Sequence, residues 1–323
     1  MPRAPEAAAT GAAAGRASIA CPCCGGALDP QPVLAGPDRL HGVAGRFEVA
    51  ACGRCGAGVT LPRLPAEELG AFYPTGYAPY DPATGRVVGL ISAAIQRWQG
   101  WRALRTAPLS EARSVGPARA VDVGCGRGDL AAHLVGHGWR VTGIEPSAAA
   151  CAAAAARGVD ARQGTLEQVE LEADAYDVAV FQHSLEHVVD PVGDLRRIRA
   201  ALRDGGLVLV SVPHFDSWQR RRFRDRWYHL DLPRHRVHFT RAGLADALTA
   251  AGLQPVRLST STSAVGLPAT LQYAVFGRCL FPDGLRLRVA SGLCALTLPL
   301  SRLADRVAGD GDVLHAVAVR RDA

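Results

Sequence analysis

Ala120-Val121-Asp122-Val123-Gly124-Cys125-Gly126-Arg127-Gly128-Asp129 decides the fold of this chain. Ala120–Val123 is a short apolar strand. Three glycines at alternate positions then form a G-x-G-x-G turn, and Asp129–Gly136 continues as a helix. Glycine at these positions lets the backbone turn sharply and lets a ligand come close to it. Position 129 is Asp, so the G-x-G-x-x-G spacing of a pyrophosphate-binding turn is absent. That disfavours a nicotinamide or flavin dinucleotide. Asp122, before the loop, suits a cationic ligand better than a pyrophosphate. Glu145 ends the second strand, 17 residues after Gly128. A carboxylate there can accept hydrogen bonds from both hydroxyls of a ribose.

Outward from this turn, strands and helices alternate. Arg140–Ile144 reads as a strand, Ser147–Arg157 as an Ala-rich helix, Val159–Gln163 as a weak strand and Tyr176–Gln182 as a strong one. Asp194–Leu202 follows as a helix closed by Asp204-Gly205-Gly206, then the almost wholly apolar strand Leu207–Val212. Arg241–Ala251 is a helix stopped by Gly252, Pro255–Ser259 a strand, and Gly311–Val319 a final strand. Such alternation implies right-handed crossovers and a parallel sheet, hence an α/β fold.

With these elements in place, the sequence resembles the class I S-adenosylmethionine-dependent methyltransferases over about residues 115–260. Asp122 to Gly128 matches their first motif, with Asp122, Gly124, Gly126 and Gly128 as the cofactor-binding positions, and Glu145 their ribose-binding acid. Gly164-Thr165-Leu166 falls where that fold lines the adenine, which implies Thr165 and Leu166. Tyr176-Asp177-Val178 through Gln182-His183-Ser184-Leu185-Glu186-His187-Val188 resembles the fourth-strand motif of the ubiquinone-biosynthesis and sugar methyltransferases, and places Gln182 at the cofactor. The resemblance implies a Rossmann-like, seven-stranded sheet whose last strand is antiparallel, over residues 113–323, with an apolar, helical insertion at about 264–307.

Cys21-Pro22-Cys23-Cys24-Gly25 and Cys52-Gly53-Arg54-Cys55-Gly56 form C-x2-C…C-x2-C with 27 residues between the pairs. Glycine after the second Cys of each pair permits the turn that aims two sulfurs at one ion. Four thiolates, Cys21, Cys24, Cys52 and Cys55, suit a structural zinc, with Cys23 as an alternative to Cys24 and a redox dithiol as the rival reading. Residues 19–62 hold too little apolar surface for a core of their own, so a metal would supply the missing stability. Such a module ahead of this fold resembles bacterial methyltransferases of deoxysugar and cell-surface glycan pathways. Residues 63–112 read as a helical connector, with helical spacing over Val87–Leu104. Its Phe72-Tyr73-Pro74, Tyr77 and Tyr80 either cover the cofactor or simply pack. Residues 1–18 read as a disordered tail.

Trp227 to Thr240 carries His229, His235 and His238 within ten residues, beside Asp231 and Arg234. In an open α/β sheet the loops after strand ends form the ligand crevice, and His183 and His214 sit at two such ends. Methyl transfer needs positioning and a base, and imidazole titrates near working pH. His183, His229 and His235 are therefore the candidates for acceptor binding or proton removal. The segment also resembles the His-rich stretch of sugar C-methyltransferases, with His235 and Phe239-Thr240 matching and His238 standing where Tyr is frequent. Asp231 and Arg234 could equally form a structural ion pair.

The net charge of +6 is concentrated in Arg220-Arg221-Arg222, Arg224 and Arg226, a cluster suited to phosphates or to plain solvation. Hydrophobic residues make up 48% of the chain and charged residues 20%, so a packed core is expected rather than wholesale disorder. No apolar run reaches the roughly 18 residues of a membrane span. Nine cysteines with two CxxC pairs and no secretory signal point to a reducing, cytoplasmic setting. The apolar insertion fits core or dimer packing, or peripheral membrane contact near a lipid-linked acceptor. The resemblance implies a small or lipid-linked acceptor, a sugar or related metabolite of surface-glycan or secondary metabolism. An RNA methyltransferase is the first alternative, disfavoured because Gln182-His183-Ser184 replaces the Asn/Asp-Pro-Pro-aromatic motif of base amino-group methylation. A non-catalytic binding scaffold is the second.

Overall fold

The computed structural model describes residues 19–73, 118–280 and 297–322. The expected tail at 1–18, the helix over Val87–Leu104, Tyr77 and Tyr80 lie outside the described residues. Two sheets organise the described residues. The large one has the order β10-β11-β8-β7-β4-β5-β6. Its parallel centre consists of β4 (Arg119–Val123), β5 (Arg140–Glu145), β6 (Asp160–Gln163), β7 (Tyr176–Gln182) and β8 (Leu202–Pro213). β11 (Val313–Arg320) runs antiparallel between β8 and β10 (Leu253–Ser261). The seven strands and the antiparallel closing strand agree with the expectation from the sequence.

Local chemistry sets the helices. Ser147 caps α3 (Ala148–Ala155) by accepting from the Ala150 amide, Ser217 caps α5 (Trp218–Phe223) by accepting from the Arg220 amide, and Thr240 caps α6 (Arg241–Ala250) by accepting from the Gly243 amide. α4 runs Pro191–Ala201, three residues earlier than the apolar periodicity suggests. Asp190 accepts from the Gly193 amide, and Pro191 takes the first helical position, where a missing N–H costs nothing. Asp204-Gly205-Gly206, expected to close a helix, instead lies within the extended β8. Of the apolar insertion, α7 (Gly266–Phe276) and residues 297–308 are helical, and 281–296 lie outside the described residues. Within the expected connector, α1 (Ala66–Gly70) is the described helix. The glycine turn leads into α2 (Asp129–Val135).

The small sheet joins what the sequence separates. β1 (Leu28–Gly36), β2 (Phe47–Cys52) and β3 (Gly58–Leu61) form an antiparallel meander, and its fourth strand is β9 (Val237–His238), from the histidine segment. Leu34, Phe47, Val49 and Phe72 pack against Phe215, Trp227, Leu230 and Leu232 in one buried cluster. The N-terminal segment, too poor in apolar residues to enclose a core, shares one with the region after β8. Thr60 and Thr240 fasten the seam. The Thr60 hydroxyl donates to the His235 carbonyl (2.6 Å), and the Thr240 hydroxyl to the Cys55 carbonyl (2.6 Å).

Candidate functional site

The strand order places the site. From β4, strands β5 and β6 extend one way and β7 and β8 the other, so the loops after β4 and β7 diverge and leave a crevice at their carboxyl ends. The glycine turn forms one lip. Gly124, Gly126 and Gly128 hold φ of 71°, 54° and 73°, left-handed values that side chains resist. A Cβ on Gly124 would stand 2.6 Å from that of Ser184, and one on Gly128 2.9 Å from that of Ala154. The Ser184 hydroxyl donates to the Val123 carbonyl (2.6 Å), tying the loop after β7 to the end of β4.

Glu145 organises this lip. Its Oε2 accepts from the Gly126 amide (2.9 Å) and its Oε1 from the Ser147 amide (2.8 Å). Each oxygen keeps a second lone pair for a ligand hydroxyl. Burial pushes the Glu145 carboxyl up, against the pull of those two amides. Asp122 is wholly enclosed, and burial, with the nearby Glu145 charge second, pushes it up to about 7. The Gly164 amide donates to the Glu145 carbonyl (3.1 Å), so the turn after β6 adjoins the end of β5. Thr165 is exposed there, whereas Leu166 is packed into the main core. Gln182, half-buried, pairs with Ser211 at the end of β7.

Histidines form the other lip. His183 follows β7 with φ 53°, a left-handed conformation costing a non-glycine residue roughly 1–2 kcal/mol. Its ring stacks near that of His229, 6.5 Å between centroids and 7° from parallel. His229 Nε2 lies 3.0 Å from Oδ2 of the fully buried Asp312, at the start of β11, and Asp312 Oδ1 accepts from the Ser263 amide (2.7 Å). A carboxylate only accepts, so Nε2 carries the hydrogen and Nδ1 keeps the lone pair. His235 is buried. Its Nδ1 donates to the His229 carbonyl (2.9 Å), and burial, then the neighbouring His187, hold it down to about 4. His238 is not at the crevice. It is buried in β9, 2.9 Å from the Thr60 hydroxyl, and burial holds it down to about 3. His214 turns its Nδ1 to the Gly311 carbonyl (3.0 Å).

Arg234 and Asp231 do form a structural ion pair. Arg234 is fully buried, with Nη2 2.6 Å from Asp231 Oδ1 and 2.7 Å from Asp38 Oδ1, and Nη1 donating to the Phe72 carbonyl (2.9 Å). Asp38 comes from the N-terminal sheet region and was not legible as a partner. In the arginine cluster, Arg220 covers the Phe215 ring at 4.1 Å, and Arg221 pairs with Asp310 at 3.3 Å. Both serve packing.

Cys21, Cys24, Cys52 and Cys55 converge, their sulfurs all within 4.8 Å of one another. Cys21–Cys55 is 3.7 Å and Cys24–Cys52 3.5 Å. Tetrahedral thiolates at about 2.3 Å from an ion stand roughly 3.8 Å apart, so this donor set fits a zinc-like ion. The buried Cys23 lies outside the four.

The chain matches the methyltransferase-domain family over residues 93–258. It is 37% identical over 118 residues to the ubiquinone biosynthesis O-methyltransferase of Marinobacter nauticus, covering 34% of this chain and 50% of that protein. It is 36% identical over 156 residues to the trans-aconitate 2-methyltransferase of Mycolicibacterium gilvum, covering 45% and 61%. A solved S-adenosylmethionine-dependent methyltransferase from Mesorhizobium loti aligns at 21% identity and TM-score 0.46, covering 68% of this chain and 97% of that one. The chain spans about half to three-fifths of the length of these curated relatives. With the seven-stranded sheet and the glycine turn, the family match makes the chain a member of the methyltransferase-domain family of class I S-adenosylmethionine-dependent methyltransferases.

Proposed function

We propose that the protein transfers a methyl group from S-adenosylmethionine to a small or lipid-linked acceptor. The observation that carries this reading is the pairing, across one crevice, of the Glu145-bound glycine turn with the His183–His229–Asp312 row. When bound, the cofactor supplies an electrophilic methyl on a sulfonium. Glycines 124, 126 and 128, with Thr165 and Gln182 around them, would hold it. Glu145 would take the ribose hydroxyls, and Asp122 would face the cationic end. His229 is the base of choice. Asp312 fixes its tautomer and stabilises the imidazolium, leaving Nδ1 to accept the acceptor's proton. His183 orients the acceptor, and His235 supports the wall behind it.

The finer reading of a sugar or related metabolite rests on the four-cysteine module joined to the histidine segment. The relatives' names, ubiquinone biosynthesis and trans-aconitate, point to no nucleic acid. Zinc on Cys21, Cys24, Cys52 and Cys55 would be structural, since four thiolates leave no open position. Residues 19–62 then act as a module whose sheet is completed by the 113–323 domain. Among the described residues, no helix is long and apolar enough to cross a membrane.

Calorimetric titration of zinc-replete protein with S-adenosylhomocysteine tests the cofactor reading. Micromolar binding that weakens sharply in Glu145→Ala supports it, and no binding by folded protein overturns it. Release of S-adenosylhomocysteine from S-adenosylmethionine in the presence of sugar nucleotides or polyprenyl-linked sugars then tests the acceptor class.

A further inference from the structure

A second cluster of ligand-type side chains lies behind the histidine lip. One ring nitrogen each from His187 and His235 and one carboxylate oxygen from Glu186 stand within 4.8 Å of one another. Glu186 and His187 belong to the 3-10 turn Leu185–His187 after β7, and His235 to the loop before β9. Glu186 is 1% exposed, yet neither of its oxygens has a hydrogen-bond partner. Its polar neighbours are ring nitrogens, His183 Nδ1 at 3.4 Å and His235 Nε2 at 4.0 Å.

The ring hydrogens point elsewhere. His235 Nδ1 lies 2.9 Å from the His229 carbonyl, and His187 Nδ1 3.0 Å from the Arg234 carbonyl. A carbonyl oxygen only accepts, so both Nδ1 atoms carry hydrogen and each neutral ring keeps its lone pair on Nε2. For His235 that lone pair faces Glu186 Oε1 at 4.0 Å and Asp231 Oδ2 at 3.8 Å. A proton on it would be too far from either oxygen for a hydrogen bond. Arg234 pairs with Asp231 and Asp38, which leaves Glu186 with imidazole nitrogens alone as its polar side-chain neighbours. On the His235 side an acceptor thus faces two carboxylate acceptors across a buried gap, an arrangement that is unfavourable without a cation. Imidazoles anchored through Nδ1–H to backbone carbonyls are also how metal-binding histidines are oriented.

We propose that Glu186, His187 and His235 bind a divalent first-row transition ion, separate from the four-thiol site. Two imidazoles and one carboxylate suit an ion of intermediate softness rather than the all-oxygen shell of calcium or magnesium. Ligands drawing in to roughly 2.0–2.2 Å would contract the cluster by about 1 Å. Three protein ligands leave coordination positions open. The use of the ion rests on the methyltransferase reading: next to His183, it would hold an acceptor oxygen and lower the pKa of its hydroxyl.

The test loads the thiol site with zinc and titrates Co2+ alone, followed by calorimetry and visible absorption. The expected result is one further ion, with d–d bands and no thiolate charge-transfer band. Glu186→Gln and the half-buried His187→Ala should each weaken Co2+ binding about tenfold or more, while binding of S-adenosylhomocysteine, read on the same samples, reports an intact fold. No uptake beyond zinc by protein that binds S-adenosylhomocysteine overturns the site and leaves the methyltransferase reading standing. Uptake unchanged in both variants also overturns it. Cobalt binding lost in the variants, by a protein that ignores S-adenosylhomocysteine, sustains the metal site and removes the methyltransferase reading.

Discussion

The two lips of the crevice are built in opposite ways. The cofactor lip is local. Gly124 to Gly128, Glu145 and Ser147 lie within 24 positions, and backbone amides and one carboxylate hold them together. The histidine lip is assembled from afar. His229 is oriented by Asp312, 83 positions later, and Arg234 is neutralised by Asp38, 196 positions earlier. A ligand site made of backbone and one strand end needs only a strand, a turn and a helix. One made of oriented imidazoles needs buried carboxylates, which distant segments bring.

This contrast predicts where damage spreads. Arg234→Ala should have the largest effect. It leaves Asp38 and Asp231 buried without a cation and should cost about 3–5 kcal/mol of stability, measured by chemical denaturation. A loss below about 1 kcal/mol, the size of a surface pair, would show that the histidine lip does not depend on the N-terminal segment.

The second prediction separates the lips by function. His229→Ala should lower turnover by about 10²–10⁴, the range of general base catalysis, with S-adenosylhomocysteine affinity intact. His235→Ala should also reduce turnover and spare that affinity. Glu145→Ala should do the reverse at the binding step. Weaker S-adenosylhomocysteine binding in His229→Ala would mean that the lips are not independent, and unchanged turnover would remove that histidine from the mechanism.

Titration should distinguish the cofactor lip from the histidine segment as well. His235 and His238 are held down to about 4 and about 3, below the ordinary histidine value. The unfolded chain therefore takes up their protons first, and stability is lost as pH falls from about 6.5 toward those values. Asp122 is pushed up to about 7, so the folded state keeps a proton that the unfolded chain releases near its ordinary value. Its contribution is present at low pH and lost as pH rises through about 7. Asp122→Asn should thus gain thermal stability over the parent between about pH 5 and pH 8. A constant difference in melting temperature across that range would contradict the assignment.

Thr60→Val is the finest probe. It removes the hydroxyl that donates to the His235 carbonyl and contacts His238, and should cost about 1–3 kcal/mol with cofactor affinity intact.

The cofactor lip was legible because each of its parts has a one-dimensional signature: apolar strand, alternate glycines, acid at the next strand end. The four cysteines were legible for the same reason, their spacing standing in for geometry. Asp312, Asp38 and Thr60 carried no such mark, because a buried carboxylate or hydroxyl looks like any other until its partner is known. Glu186 and His187 were visible within a motif, but nothing along the chain tied them to His235. β9 is two residues long, too short for alternation to register, and it exists because β3 has an edge to pair with. Leu166, placed at the adenine turn by resemblance, proved to face the core.

The sequence by itself determined the strand order's raw material, the left-handed glycine turn, the acid that ends β5 and the thiol set, since propensity, glycine conformation and ligand spacing act over a few residues. The tertiary structure alone decided which imidazoles line the crevice, which hydrogen each carries, and that the N-terminal sheet is completed by the histidine segment. Those depend on desolvated contacts between segments far apart in the chain, and burial turns such contacts from incidental into obligatory.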